Sequence, residues 1–276
     1  MIRPIKAIVV RNLIKLARDK MRLFFTLFMS AMFLFIFSFV TKSMVTGLQN
    51  PMSYLISGII IMTVFQTSLN NSMNILEDIS TGFMKEILVA PIKRWQIAIG
   101  QVLSSALIAV FQGLIIVIAG LFMGLSLDFI HAVLMIIIMC IVGLTFSSLG
   151  LLLASITKES TKFQLLISII AIPLTFLSGA YIPVMAIPGI LSWIVYLNPL
   201  TYTTALFRYV TLHMDTLSNE TLVKTGVAFN INGFIITPFL GALLVIFMGI
   251  VFFVWCVKRF SNADFTRVKI FKHRHR

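Results

Sequence analysis

Charge is what this sequence lacks. Only 11% of its 276 residues are Asp, Glu, Lys or Arg, against 59% hydrophobic, whereas soluble domains carry about 25% charged residues. That leaves too little polar surface to cover a soluble fold. Acidic residues are the scarcer sign, nine against 22 basic ones. The two cysteines, Cys140 and Cys256, lie in different apolar runs and belong to no CxxC or Cys/His cluster, which reads as small buried residues rather than a disulfide or a metal site. GxxxxGK[ST], HExxH and GxSxG are all missing. The chain therefore has no phosphate-binding loop of its own, no zinc-protease helix and no nucleophile elbow, and it is not read as an enzyme. No catalytic or metal-ligating residue is assigned. The N-terminal stretch is too long, basic and periodic for a cleavable signal peptide.

Long uncharged runs are what is there. Leu23–Thr41, Pro51–Leu76, Trp95–Leu127, Phe129–Thr157, Phe163–Phe207 and Thr225–Val257 contain no charged side chain. A helix needs roughly 20 apolar residues to cross the bilayer core. The expected fold is an all-α polytopic membrane protein with six spans, at about 23–42, 52–73, 97–122, 132–155, 164–182 and 235–257. Nineteen of the 22 Lys/Arg then fall on one side, in segment 1–22, loop 74–96, loop 156–163 and tail 258–276. Only Lys42, Arg208 and Lys224 fall on the other. The positive-inside rule places both termini and loop 74–96 in the cytoplasm of a cell-membrane protein. A net charge of +13 distributed this way flanks spans and meets anionic lipid head groups, so nucleic acid is not an expected partner.

Within residues 1–22, Ile2, Ile5, Val9, Leu13 and Leu16 share one helical face, with Arg3, Arg11, Lys15, Arg18 and Arg22 opposite. That pattern predicts an amphipathic helix lying in the membrane interface. Region 183–234 opens with "IPVMAIPGILSWIVYLNPLTY", too apolar for an ordinary loop and interrupted by Pro183, Pro188, Gly189 and Pro199. Short helices that dip into the outer leaflet and return fit it, and such backbone must be shielded by protein or a watery cavity. Ionisable groups inside the spans are nearly absent, which disfavours an ion-coupled transporter. Asp128 and His131 bracket a short external turn and read as solvated. Gln66, Asn70 and Gln112 are unfavourable against lipid and should face a partner helix or a pathway. "GLFMG" (Gly120, Gly124) has the spacing of a helix-dimer motif, a weak signal.

Loop 74–96 contains "EDISTGFMKEILVAPIKRW". Gly82 and Pro91 can each end or start a helix, leaving "FMKEILVA" as about two turns between them. From the residues alone, this is equally a docking surface or a solvated connector. The segment resembles the inner loop of type-2 ABC transporter permeases, the exporters that include daunorubicin-resistance-like and polysaccharide-export permeases. The matching positions are Glu77, Asp78, Gly82, Glu86, "ILVA", Pro91 and Arg94, with Gly100 in the next span. Lys85 departs from the small or apolar residue usual there. A second match, "YLNPLTYTTALFRYV", brings Asn198, Pro199, Tyr202 and Arg208 onto the family's NP-containing segment before the last span.

The resemblance implies a permease that pairs with a second copy as a homodimer, or with a close relative, to give twelve spans above two separate ATP-binding subunits. ATP and Mg then belong to the partner, and this chain carries no cofactor. Glu77, Asp78, Gly82, Glu86, Pro91 and Arg94 are the implied ATPase-coupling residues. Asn198, Pro199, Tyr202 and Arg208 are the implied outer re-entrant or gate residues. The uncharged lining suggests a hydrophobic or amphipathic cargo, such as a drug-like compound, a lipid or a glycan, moved outward. The alternative is a stand-alone transporter or channel, and a further one is a membrane enzyme or structural subunit.

Overall fold

The computed structural model describes residues 2–44, 51–181, 184, 187–231 and 233–262. Pro183 and residues 263–276 of the basic tail lie outside them. Twelve α-helices are present among the described residues: α1 Ile2–Arg18, α2 Lys20–Met44, α3 Pro51–Asn70, α4 Met73–Ser80, α5 Phe83–Val89, α6 Arg94–Phe122, α7 Phe129–Thr157, α8 Ser160–Phe176, α9 Ser192–Leu197, α10 Pro199–Thr211, α11 Asn219–Lys224 and α12 Pro238–Asn262. A two-stranded antiparallel hairpin, β1 Phe229–Ile231 and β2 Phe234–Ile236, pairs Phe229 with Ile236 and is the departure from an all-helical chain.

Four stretches are long and apolar enough to cross a membrane: Met52–Ser80, Arg94–Phe122, Phe129–Thr157 and Pro238–Asn262. Leu23–Ile36 and Ser160–Phe176 are shorter apolar helices. The chain is a mostly helical, polytopic membrane protein. The fifth expected span stops at Phe176 rather than 182, because Gly179 takes φ +81, a left-handed conformation that breaks the helix. The second runs into α4 after a turn at Asn71 and Ser72.

α3 is the centre of the bundle. Leu55, Ile56, Ile59, Ile60, Ile61, Val64 and Phe65 are all buried, and the helix packs against α2, α6, α7 and α10. Phe65 meets Phe146 of α7 edge to face, ring centroids 4.6 Å apart, the preferred aromatic geometry. α12 packs on α7 and α10 through a thin stripe that includes Gly241, Val245 and Cys256. Its other faces expose Phe239, Leu243, Phe247, Ile250 and Trp255, an apolar surface suited to lipid. The weak dimer signal at "GLFMG" has an intrachain explanation. A Cβ on Gly120 would lie 2.7 Å from Ile56 of α3, while Gly124 sits in a turn at φ +99, so the pair is not one helix stripe.

α1 forms where its periodicity places it, and it packs on the bundle through a face beside the expected membrane stripe. Ile8, Asn12 and Leu16 are buried where α1 packs on α6. A Cβ on Gly100 of α6 would come within 3.0 Å of Ile8, so glycine there lets the helices approach. Ile5, Val9 and Leu13 are half-buried and Ile2 is exposed. α1, α4 and α5 lie at one end of the bundle, the basic end.

Candidate functional site

At the basic end, α4 and α5 form a bent unit around Gly82, whose φ of +83 favours glycine. α5 stops at Ala90, held extended (ψ 149) by the proline that follows. The side chain of Gln96 then accepts from the Lys93 backbone N–H at 2.9 Å to start α6.

α1 clamps this unit. Arg11 Nη1 donates to Asp78 Oδ2 at 2.8 Å, and Nη2 donates to Oδ1, making a two-pronged charge-assisted contact. The Asp78 side chain is 4% exposed and that of Arg11 33%. The same guanidinium lies 4.3 Å from the centroid of the Phe83 ring, at the start of α5. One turn along, Lys15 Nζ donates to Glu77 Oε2 at 2.5 Å. Asn12 Nδ2, between the two cations, donates to Gln101 Oε1 (2.8 Å) and Ser104 Oγ (2.7 Å) of α6. Arg11 and Lys15, from the basic face of α1, thus both pair with α4 while staying partly exposed.

The six residues expected to couple to a partner therefore separate. Glu77 and Asp78 are taken up inside the chain. Arg94 Nη1 donates to the Ser261 carbonyl of α12 at 3.3 Å. Gly82 and Pro91 bound α5. Glu86 is exposed on α5 beside Lys85, with Val89 87% exposed.

A cavity of about 510 Å³ lies among α2, α3, α6 and α8. Its polar wall includes Ser30, Thr63, Gln66, Thr67, Asn70, Gln112 and Gln164. Ser30 and Thr63 share a hydrogen bond at 3.0 Å, and Thr67 Oγ1 donates to Gln112 Oε1 at 2.5 Å. A second cavity of about 280 Å³ shares Phe33, Gln66, Asn70, Gln164 and Tyr181 with it and continues along α8. Gln66, Asn70 and Gln112 thus line one space. The sequence reading missed Gln164, although a glutamine in an uncharged run carries the same signal as the other three.

The opposite end is built around α10. Asn198 Oδ1 caps it by accepting from Leu200 N at 2.9 Å, and Nδ2 donates to the Leu174 carbonyl of α8 at 2.8 Å. Pro199 takes the first helical position, where its missing N–H is harmless. Tyr202 Oη donates to the Tyr196 carbonyl of α9 at 2.6 Å.

Arg208, counted with the outer region, lies in α10. It is 1% exposed, because α10 packs into the bundle against α3, α7 and α12. Its Nη1 donates to Tyr54 Oη and its Nη2 to the Ala180 carbonyl, both at 2.8 Å, with Cζ 3.5 Å from the Tyr54 ring centroid. His131 is not simply solvated. Its ring lies 4.0 Å from that of His213, and its Nδ1 is 3.4 Å from Asp128.

A family model described as ABC-2 type transporter matches residues 3–212. Among curated proteins, the chain is 29% identical over 187 residues to "Putative transport permease ycf38" of Cyanophora paradoxa, covering 66% of this chain and 63% of that one. It is 33% identical over 176 residues to the protein of the same name from Porphyra purpurea, covering 62% and 60%. It is 25% identical over 155 residues to "Probable multidrug ABC transporter permease YbhR" of Escherichia coli (strain K12), covering 56% and 42%. The matches thus span less than two thirds of the length of each of these relatives.

Proposed function

The chain belongs to the ABC-2 type transporter family, and from that membership we propose that it is the membrane subunit of an ATP-driven exporter, energised by a separate ATP-binding protein. The observation that carries this reading is the clamp at the basic end. Arg11 and Lys15 hold α4 against α1, and Asn12 holds α1 against α6. A push on α5 is therefore delivered to three helices as one block. Glu86, Lys85 and Val89 remain on the outside of that block, one exposed valine with a charge of each sign near it. This surface suits a protein partner, and in this reading it faces the cytoplasm, with both termini on the same side.

Six spans cross the membrane, with α2 and α8 added to the four longer stretches. Gln66, Asn70, Gln112 and Gln164 line the route, which is completed by a second copy of the chain. Cavity walls that alternate amide and hydroxyl groups with Phe25, Met29, Ile59 and Met62 favour an amphipathic or hydrophobic cargo. Such a wall offers hydrogen bonds without charge. Asn198, Pro199 and Tyr202 hold the corner through which the cargo leaves. ATP and Mg bind the partner, two copies of which serve the permease pair.

The test is co-purification of the tagged permease with an ATP-binding protein carrying GxxxxGK[ST], followed by ATP hydrolysis in nanodiscs. Glu86→Arg should abolish retention of that protein and leave the elution profile of the permease unchanged. Retention at the wild-type level would remove α5 as the docking surface.

A further inference from the structure

At the end of the bundle opposite the basic one, an imidazole stands between two carboxylates. His131 is the third residue of α7, and its side chain is 16% exposed. Its Nδ1 faces Asp128 Oδ2 at 3.4 Å, and its Nε2 faces Asp215 Oδ1 at 4.0 Å. The His213 ring lies against it, with centroids 4.0 Å apart and planes tilted by 48°. Asp215 and His213 come from another part of the chain, the corner between α10 and α11. Met214 anchors that corner by packing with Leu222, Val227 and Ala228. Among the described residues, Asp128, Asp215 and His213 are the titratable side chains that face His131.

Two local features set this group apart from a chance meeting of surface charges. Asp128 stands just before α7 with an extended backbone, the position from which an aspartate ordinarily caps the first turn. It makes no such cap, and its carboxylate turns to the His131 ring instead. His213 holds a left-handed backbone at φ +51, a strained conformation for a residue other than glycine. It opens the single turn Met214–Thr216, which carries Asp215.

A neutral imidazole has one N–H and one lone pair. It can donate to one aspartate, and its lone pair then meets the other carboxylate. The imidazolium donates from both nitrogens. Imidazole is also the side chain whose charge ordinarily changes between about pH 5 and 8. His213 limits the pair of rings to one added charge, because a second imidazolium so close would repel the first. The positive end of α7 opposes a cation at its third residue, so the two carboxylates have to supply the attraction.

We propose that His131 is a proton-operated latch, which in its charged form bridges Asp128 and Asp215 and ties the start of α7 to the α10–α11 corner. The latch closes as pH falls through the imidazole range and releases as pH rises. It requires neither transport nor ATP hydrolysis, so it stands apart from the exporter reading.

The chain has four histidines, so protein labelled with carbon-13 at histidine Cε1 gives a simple spectrum in nanodiscs. His131→Gln and His213→Gln assign the two signals of interest. Asp128→Asn and Asp215→Asn should each lower the proton affinity of His131 about threefold, as expected for a partly exposed ion pair, and the double variant about tenfold. Hydrogen exchange reads the tie itself. After correction for the intrinsic effect of pH, opening of the Met214–Thr216 turn should be about threefold rarer at about pH 5.5 than at about pH 8. That difference should vanish in His131→Gln. Asp215 is more than half exposed, so its isosteric change to Asn leaves the fold in place to be measured. An unchanged proton affinity in Asp215→Asn overturns the bridge. So does a pH response of the turn that persists in His131→Gln. A response that disappears on adding EDTA assigns the group to a metal ion and overturns the proton latch.

Discussion

Deleting either member of the Arg11–Asp78 pair should have unequal effects. Arg11→Ala strands a carboxylate whose side chain is only 4% exposed, and breaking a buried pair from one side costs about 3–5 kcal/mol. Because the departing side chain is itself one-third exposed, water reaches part of the gap, and the low end, about 3 kcal/mol, applies. Asp78→Asn leaves a partly solvated guanidinium still lying over Phe83 and facing a neutral acceptor. Its loss is about 1 kcal/mol.

The double variant no longer buries an unpaired charge, so it should be less destabilised than Arg11→Ala alone. Hydrogen exchange of the α1 amides in nanodiscs reads this directly. Local opening of α1 should rise about a hundredfold in Arg11→Ala and about fivefold in Asp78→Asn, with the double variant between them. Equal effects of the two single changes would refute the argument from burial. So would a double variant more open than Arg11→Ala.

Gly58→Ala places a methyl group 2.3 Å from a backbone oxygen and should destabilise by about 3 kcal/mol, seen as a lower thermal aggregation midpoint in detergent. Asn198→Ala removes the cap of α10 and its bond to Leu174. About 2 kcal/mol should be lost in the same assay. Glu86→Arg is expected to stay within about 0.5 kcal/mol of the parent, which separates its effect on partner retention from any effect on folding. Gln112→Leu leaves the Thr67 hydroxyl without its acceptor and should cost about 1–2 kcal/mol in the aggregation midpoint.

Local chain chemistry was readable, and long-range partnership was not. Gly82 and Pro91 bound α5 in the structure as they do on paper, because a left-handed turn and a pre-proline residue are decided within a few residues. The amides Gln66, Asn70 and Gln112 converge as their poor fit to lipid required. The sequence could not say that Asp78 is held by a residue 67 positions earlier. For α1, periodicity found an apolar stripe for the membrane but not the neighbouring face, centred on Ile8 and Asn12, that packs on α6. Lipid and α6 are both apolar surfaces, and a hydrophobic pattern does not distinguish them. The partners of Arg208 were hidden for a related reason. Charge counting assigns an arginine a side of the membrane, whereas its two acceptors come from residues 28 and 154 positions away.

The order of those acceptors along the chain bears on how the protein is made. Tyr54 and Ala180 both precede Arg208. A ribosome therefore delivers α3 and the turn after α8 before it delivers the guanidinium. The cation meets a receiving pocket whose parts have already been synthesised, so it need not wait in the membrane for them. A circularly permuted chain that begins near Asp215 and joins the native termini would translate Arg208 last of the three as well. One that begins between Tyr181 and Asn198 would send the charge in first, and its insertion efficiency should fall.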